Sequence, residues 1–290
     1  MMRFLLILLL VTAALPLVSQ TKGALLPRFD SQREGDHFVY QWNAFQTSNA
    51  EIDEAEALAE EVFAHLTRIF GSERMPENKL IITFRGEGVD REKGKKRTPH
   101  VDNQGRTHLY RFEMGGYLSP LPHELVHAVR VGMGLNWQGF FEEGIASGIA
   151  YHLYPERKGF PRFGYSLDLI AGHWLSSNRG IPIMKMMVQH SRLNLKCQLQ
   201  TYVTREDFFN YLIKEFGISK MVDLAYSDLV GSNDGYQKYF GKKLEALVED
   251  WQADLTKRYK AIDQPEIQLS QYFNHTSARY IPVCEAGTDF

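Results

Sequence analysis

The chain has 290 residues, 44% of them apolar and 23% charged, with a formal net charge of −2. That balance belongs to a globular protein rather than a disordered one, and near-neutrality removes any general electrostatic reason to hold nucleic acid or coat an anionic membrane. Two cysteines exclude a disulfide-built scaffold and a zinc site made of cysteine alone.

Arg3 is followed by an apolar run from Phe4 that continues through Val18 and ends at Ser19-Gln20-Thr21. A basic residue, a short greasy stretch and a polar exit predict a signal peptide over 1–20, and hence a secreted or periplasmic protein with no stable membrane partner after cleavage. An uncleaved signal-anchor is the alternative. Export would place Cys197 and Cys284 where they can pair; two separate buried thiols are the competing reading.

The remainder reads as a single domain over 21–258, an α+β part (21–115) followed by a mainly helical part (116–258), with a C-terminal tail over 259–290. Ser48 and Glu51 form a capping box that opens a helix. Its apolar positions Ile52, Ala55, Leu58, Val62, Leu66 and Ile69 recur at helical spacing up to Gly71. Lys79 to Phe84 is a strand by its β-branched and aromatic content. The basic stretch from Asp90 to Arg97 predicts a solvated loop, and Thr107 to Phe112 pairs with His100 to Asn103 across a turn at Gly105. From Pro120 the pattern turns helical, with helices predicted over 121–133, 140–153, 165–177, 182–191, 204–216, 218–230 and 242–258. The fold class is therefore α+β, a small N-terminal sheet portion followed by helices.

His123-Glu124-Leu125-Val126-His127 is an H-E-x-x-H sequence within the first of those helices. Histidines four apart are offset by about 40° around a helix and one turn along it, so both imidazoles can reach one Zn²⁺. Catalytic zinc typically takes three protein ligands and a water, and a Glu beside the first His can take a proton from that water. Sixteen residues after His127 comes Glu143, with Glu142 as its neighbour and competitor for the third ligand. The small residues Gly144, Ala146, Gly148 and Ala150 would let their helix lie close against the zinc helix.

H-E-x-x-H followed by Glu143-Gly144-Ile145-Ala146-Ser147 resembles the gluzincin metallopeptidases, which include the thermolysin-like and aminopeptidase N-like enzymes. The resemblance covers about residues 116–256 and extends to small bacterial gluzincin-like domains. It implies that Glu143 rather than Glu142 is the third ligand. Ser147 stands where thermolysin-like enzymes carry an Asp, as in the aminopeptidase branch. The segment from Thr201 to Phe209 is similar to the Tyr-bearing helix start of that branch, which implies that Tyr202 donates to the oxyanion. Tyr151, Tyr165 and His173 are the rivals for that role.

Aminopeptidases of the branch carry a Gly-x-Met-Glu-Asn segment. Glu113-Met114-Gly115-Gly116 departs from it and lies too near the zinc helix. The strand from Thr107 to Phe112 could instead pair with an extended substrate. The expected function is an exported zinc metallopeptidase acting on peptide or protein substrates, an endopeptidase rather than an aminopeptidase. A non-catalytic or single-partner zinc-binding protein on the same fold is the alternative. Phe140, Phe141 and Trp137 read as helix packing rather than an apolar subsite, and Asn274-His275-Thr276 is a glycosylation sequon.

Overall fold

A computed structural model describes residues 29–87, 89–90, 95–96, 99–111, 116–132, 139–156, 162–177, 179–274 and 283–284. The expected signal peptide, the Glu113–Gly115 segment and Trp137 lie outside these residues. The chain begins with β1 (Ser31–Glu34) and β2 (Phe38–Trp42). Helix α1 (Asn49–Phe70) follows, and then β3 (Leu80–Glu87). Short strands β4 (Val89–Asp90), β5 (Lys95–Lys96) and β6 (His100–Val101) lead to β7 (Thr107–Arg111). The rest is helical: α2 (Leu121–Gly132), α3 (Gly139–Leu153), α4 (Leu167–Ser176), α5 (Ile183–Lys196), α6 (Gln198–Phe216), α7 (Ile218–Ala225), α8 (Asn233–Phe240), α9 (Leu244–Lys260) and α10 (Pro265–Asn274). This is the α+β arrangement expected. None of the described helices is long and apolar enough to cross a membrane.

The main sheet has the order β1-β2-β3-β7-β6. β2, β3 and β7 run parallel, while β1 and β6 pair antiparallel at the two edges. β2 buries Phe38, Tyr40 and Trp42 on one face, an alternation that marks a half-buried strand. α1 forms as the capping box predicts. The Ser48 hydroxyl accepts from Glu51 N at 3.3 Å and Glu51 Oε2 accepts from Ser48 N at 2.9 Å. Its apolar stripe is in the core with Ile69 at the margin, and Gly71 ends it at φ 92°.

Several boundaries differ from the sequence reading. Lys95–Lys96, within the stretch from Asp90 to Arg97 expected to be loop, pairs with Val89–Asp90 in a two-stranded ladder. α6 begins at Gln198 rather than 204, because only Cys197 separates it from α5 and no glycine or proline marks the corner. α7 ends at Ala225 rather than 230. There Ser227 donates to Leu224 O and accepts from Leu229 N, satisfying backbone groups outside a helix.

β7 was expected to offer an edge, but β6 covers it at Thr107 and His108. Beyond His108, no described strand pairs on that side. The expected tail is built into the protein. α10 buries Leu269 and Tyr272, and Cys284 is disulfide-bonded to Cys197. Gln200, fully buried at the start of α6, brackets Cys284, donating to its carbonyl at 2.9 Å and accepting from its N–H at 2.8 Å. The buried apolar residues of the sheet and the helices form one continuous cluster.

Candidate metal centre

α2 turns Leu121, Leu125, Ala128 and Val129 into the core, which leaves His123 and His127 on an adjoining face. Its start is tied to the sheet by Tyr117, whose hydroxyl meets Thr47 Oγ1 at 2.8 Å and accepts from Gly86 N at 3.0 Å. The two imidazole Nε2 atoms are 3.1 Å apart. From α3, Glu143 brings Oε2 to 3.5 Å from His123 Nε2 and Oε1 to 3.7 Å from His127 Nε2. Four ligands at the usual zinc distances sit about 3.3 Å from one another in a tetrahedron, so these separations suit one small cation. His123, His127 and Glu143 can hold a metal ion, and they are the one such group among the described residues.

Glu142 is turned away from this point. It is buried in a bidentate ion pair with Arg130 of α2, Arg130 Nε donating to Oε2 at 2.6 Å and Nη2 to Oε1. The pair links α2 to α3 and fixes the rotation of α3 that faces Glu143 toward the imidazoles. The two glycines among the small residues of α3 face α6 rather than α2. A Cβ at Gly144 would collide with the ring of Phe209, and one at Gly148 would lie 3.0 Å from Phe209 Cβ, so the glycines admit α6 rather than α2.

That close approach places α6 beside the ligands. Arg205, wholly buried, donates from Nη2 to Glu143 Oε2 at 3.2 Å, and its Cζ lies 4.5 Å from the centre of the Tyr202 ring. Tyr202 is thus joined to the site through Arg205, and it sits within α6 rather than at its start. Ser147 Oγ meets His123 Nδ1 at 3.3 Å, a partner that would orient the ring with Nε2 toward the ion.

Burial sets the protonation of these groups, modified by their neighbours. It pushes the Glu124 carboxyl up to about 7, with the Glu143 charge adding to the shift and His123 opposing it. It pushes His127 down, keeping the imidazole neutral as a ligand requires. For Glu143 burial would raise the value, but the His123 hydrogen bond and the charge of Arg205 hold it well below the usual carboxylate range. For His123 burial pulls downward, and the bond to Glu143 with the charge of Glu124 outweighs it. Tyr202 is raised by burial and then by Glu143, so its phenol stays protonated and able to donate.

The rivals to Tyr202 make other contacts. Tyr165 packs edge-on against Tyr272, and His173 against Trp174 and Phe273. Tyr151 lies under the Arg162 guanidinium, which pairs with Glu206 at 3.4 Å. Phe140 and Phe141 are buried against Phe209, as helix packing requires.

The sequence reading missed Arg205, and the available signal was its position one turn after Tyr202 inside a polar run, Thr204-Arg205-Glu206-Asp207. All four of those residues are buried. Compared with protein-family models, curated proteins and solved structures, the chain matches none of them.

Proposed function

We propose that this protein is a zinc metallopeptidase, with one Zn²⁺ held by His123, His127 and Glu143. The observation that supports it most is the convergence of two neutral-capable imidazole nitrogens and one carboxylate from two helices. Two nitrogens and one carboxylate form a recurrent ligand set of catalytic zinc, one that leaves a coordination position open. Zn²⁺ bound there would polarise a substrate carbonyl and lower the pKa of its water.

The chain's own residues supply the remaining roles. Glu124, buried beside His123, takes the proton of the attacking water and returns it to the leaving amine. Tyr202 donates its phenolic hydrogen to the oxygen on which charge develops. Arg205 and Ser147 keep Glu143 and His123 in place. The peptide reading of the substrate draws on β7: among the described residues β6 pairs with it only at Thr107 and His108, and the proposal is that an extended backbone pairs with the strand beyond. That supports an endopeptidase acting on peptide or protein chains, and the apolar leader at the amino terminus supports export.

A quenched-peptide library assayed with wild type, Glu124→Gln and Tyr202→Phe tests the reading. Glu124→Gln is expected to lose about 10²–10⁴-fold in turnover, and Tyr202→Phe about 10²–10³-fold, with zinc content unchanged in both. A wild type that holds zinc and cleaves nothing would favour the non-catalytic alternative. Full activity in Glu124→Gln would overturn the assigned roles.

A further inference from the structure

Arg205 is wholly enclosed, yet two of its nitrogens, Nε and Nη1, have no hydrogen-bond partner among the described residues. A buried guanidinium with donors left unpaired is costly, and a divalent cation nearby would add repulsion. An apolar side chain at this position would avoid both penalties. What the guanidinium does engage is specific: Nη2 donates to Glu143 Oε2, and Cζ lies over the Tyr202 ring, 4.5 Å from its centre. Tyr202, Arg205 and Phe209 lie along one face of α6 at i, i+3 and i+7. Phe209 is locked against Gly144 and Gly148, immediately beside Glu143.

We infer that Arg205 is a positioning residue that fixes the Glu143 carboxylate for metal binding and, through its planar face, the Tyr202 ring for oxyanion contact. This rests on the reading of the site as a zinc peptidase. A carboxylate left alone can rotate about its last torsion and present either oxygen. With Oε2 held by Arg205, the orientation is set before any ion arrives, and the ordering cost is met on folding. Because both contacts come from one guanidinium on one rigid helix, the ligand and the oxyanion donor keep a constant relation. Lysine would carry the charge to Glu143 but has no planar face for Tyr202.

The test uses the full chain with Arg205→Met, Arg205→Lys, Glu143→Ala and the Arg205→Met/Glu143→Ala double variant. Zinc affinity is read by competition with a chromophoric chelator, and kcat and KM on a quenched peptide that the wild type cleaves. Arg205→Met is expected to weaken zinc binding roughly 10–100-fold, with no further loss in the Glu143→Ala background. Arg205→Lys should hold zinc within a few-fold of wild type while kcat falls at nearly constant KM, because Tyr202 acts only as charge develops.

Wild-type zinc affinity in Arg205→Met, or an equal loss when Glu143 is already absent, would overturn the inference. Should Arg205→Met fail to fold, Arg205→Lys decides, and an unchanged kcat would overturn it. A wild type that binds no zinc would overturn the site reading as well. A wild type that binds zinc but cleaves no peptide would sink the peptidase reading alone, leaving the chelator competition to decide for Arg205.

Discussion

Along α3, Glu142 meets Arg130 and Glu143 meets the two imidazoles, a consequence of the about 100° that separates neighbours on a helix. Each carboxylate is where its partner makes burial tolerable, since an unpaired buried charge costs several kcal/mol. Phe209 completes the arrangement from α6. Gly144→Ala would drive a methyl group into its ring, and Phe209 cannot retreat while packed between Phe140, Phe141 and Phe208. Overpacking of this kind costs about 1–3 kcal/mol. Chemical denaturation is expected to show that loss, together with weaker metal binding as Arg205 is pushed from Glu143. A Gly144→Ala variant as stable as wild type would show that α3 and α6 do not meet as described.

The β6–β7 hairpin carries a titratable network of its own at the level of secondary-structure elements. Asp102 Oδ2 meets His108 Nε2 at 3.0 Å, and Thr83 Oγ1 meets His108 Nδ1 at 2.7 Å with Arg85 Nε at 3.1 Å. Burial, and then the charges of Arg85 and His100, hold His108 below its ordinary value despite Asp102. Asp102 is held below the carboxylate range: burial opposes this, and the hydrogen bonds from Arg106, His108 and Gln104 outweigh it.

Both folded values are depressed, so the unfolded chain takes up protons first and acid destabilises the hairpin. The His108 contribution is present above about pH 6.5 and is lost as pH falls below it. The Asp102 contribution is present above about 3.8 and is lost below that. Amide exchange, corrected for intrinsic rates, should show Val101, Thr107 and His108 losing protection between pH 7.5 and 5.5. Protection that is flat or rising over that range would contradict the network.

Over the whole molecule, the C-terminal segment closes the fold. The Cys197–Cys284 bond joins residues 87 apart in sequence, at the corner where α5 turns into α6. A cross-link over so long a loop contributes about 2–5 kcal/mol by restricting the unfolded chain. Cys284→Ser should lower the urea midpoint correspondingly, with the native contact between Gln200 and the residue 284 backbone retained. An unchanged midpoint would mean that the bond contributes nothing to the stability of the fold.

Local chemistry was legible in the sequence. The capping box at Ser48, the stop at Gly71 and the two histidines on α2 depend only on residues within a turn or two. The β2 alternation of Phe38, Tyr40 and Trp42 is equally local. Other features depend on partners far along the chain. The corner at Cys197 carries no breaker residue, and its bond to Cys284 requires the tail to return. The choice between Glu142 and Glu143 depends on Arg130. The purpose of Gly144 and Gly148 appears only once α6 arrives with Phe209, and that same helix brings in Arg205, a charge within a polar run.

The most direct test of the account is metal content by elemental analysis of wild type and Glu143→Ala, both purified and reconstituted with Zn²⁺ in the same way. Near-stoichiometric zinc is expected in the wild type, and a sharply lower zinc content in the folded Glu143→Ala protein. Zinc absent from the wild type after reconstitution, or retained in full by Glu143→Ala, would contradict the account.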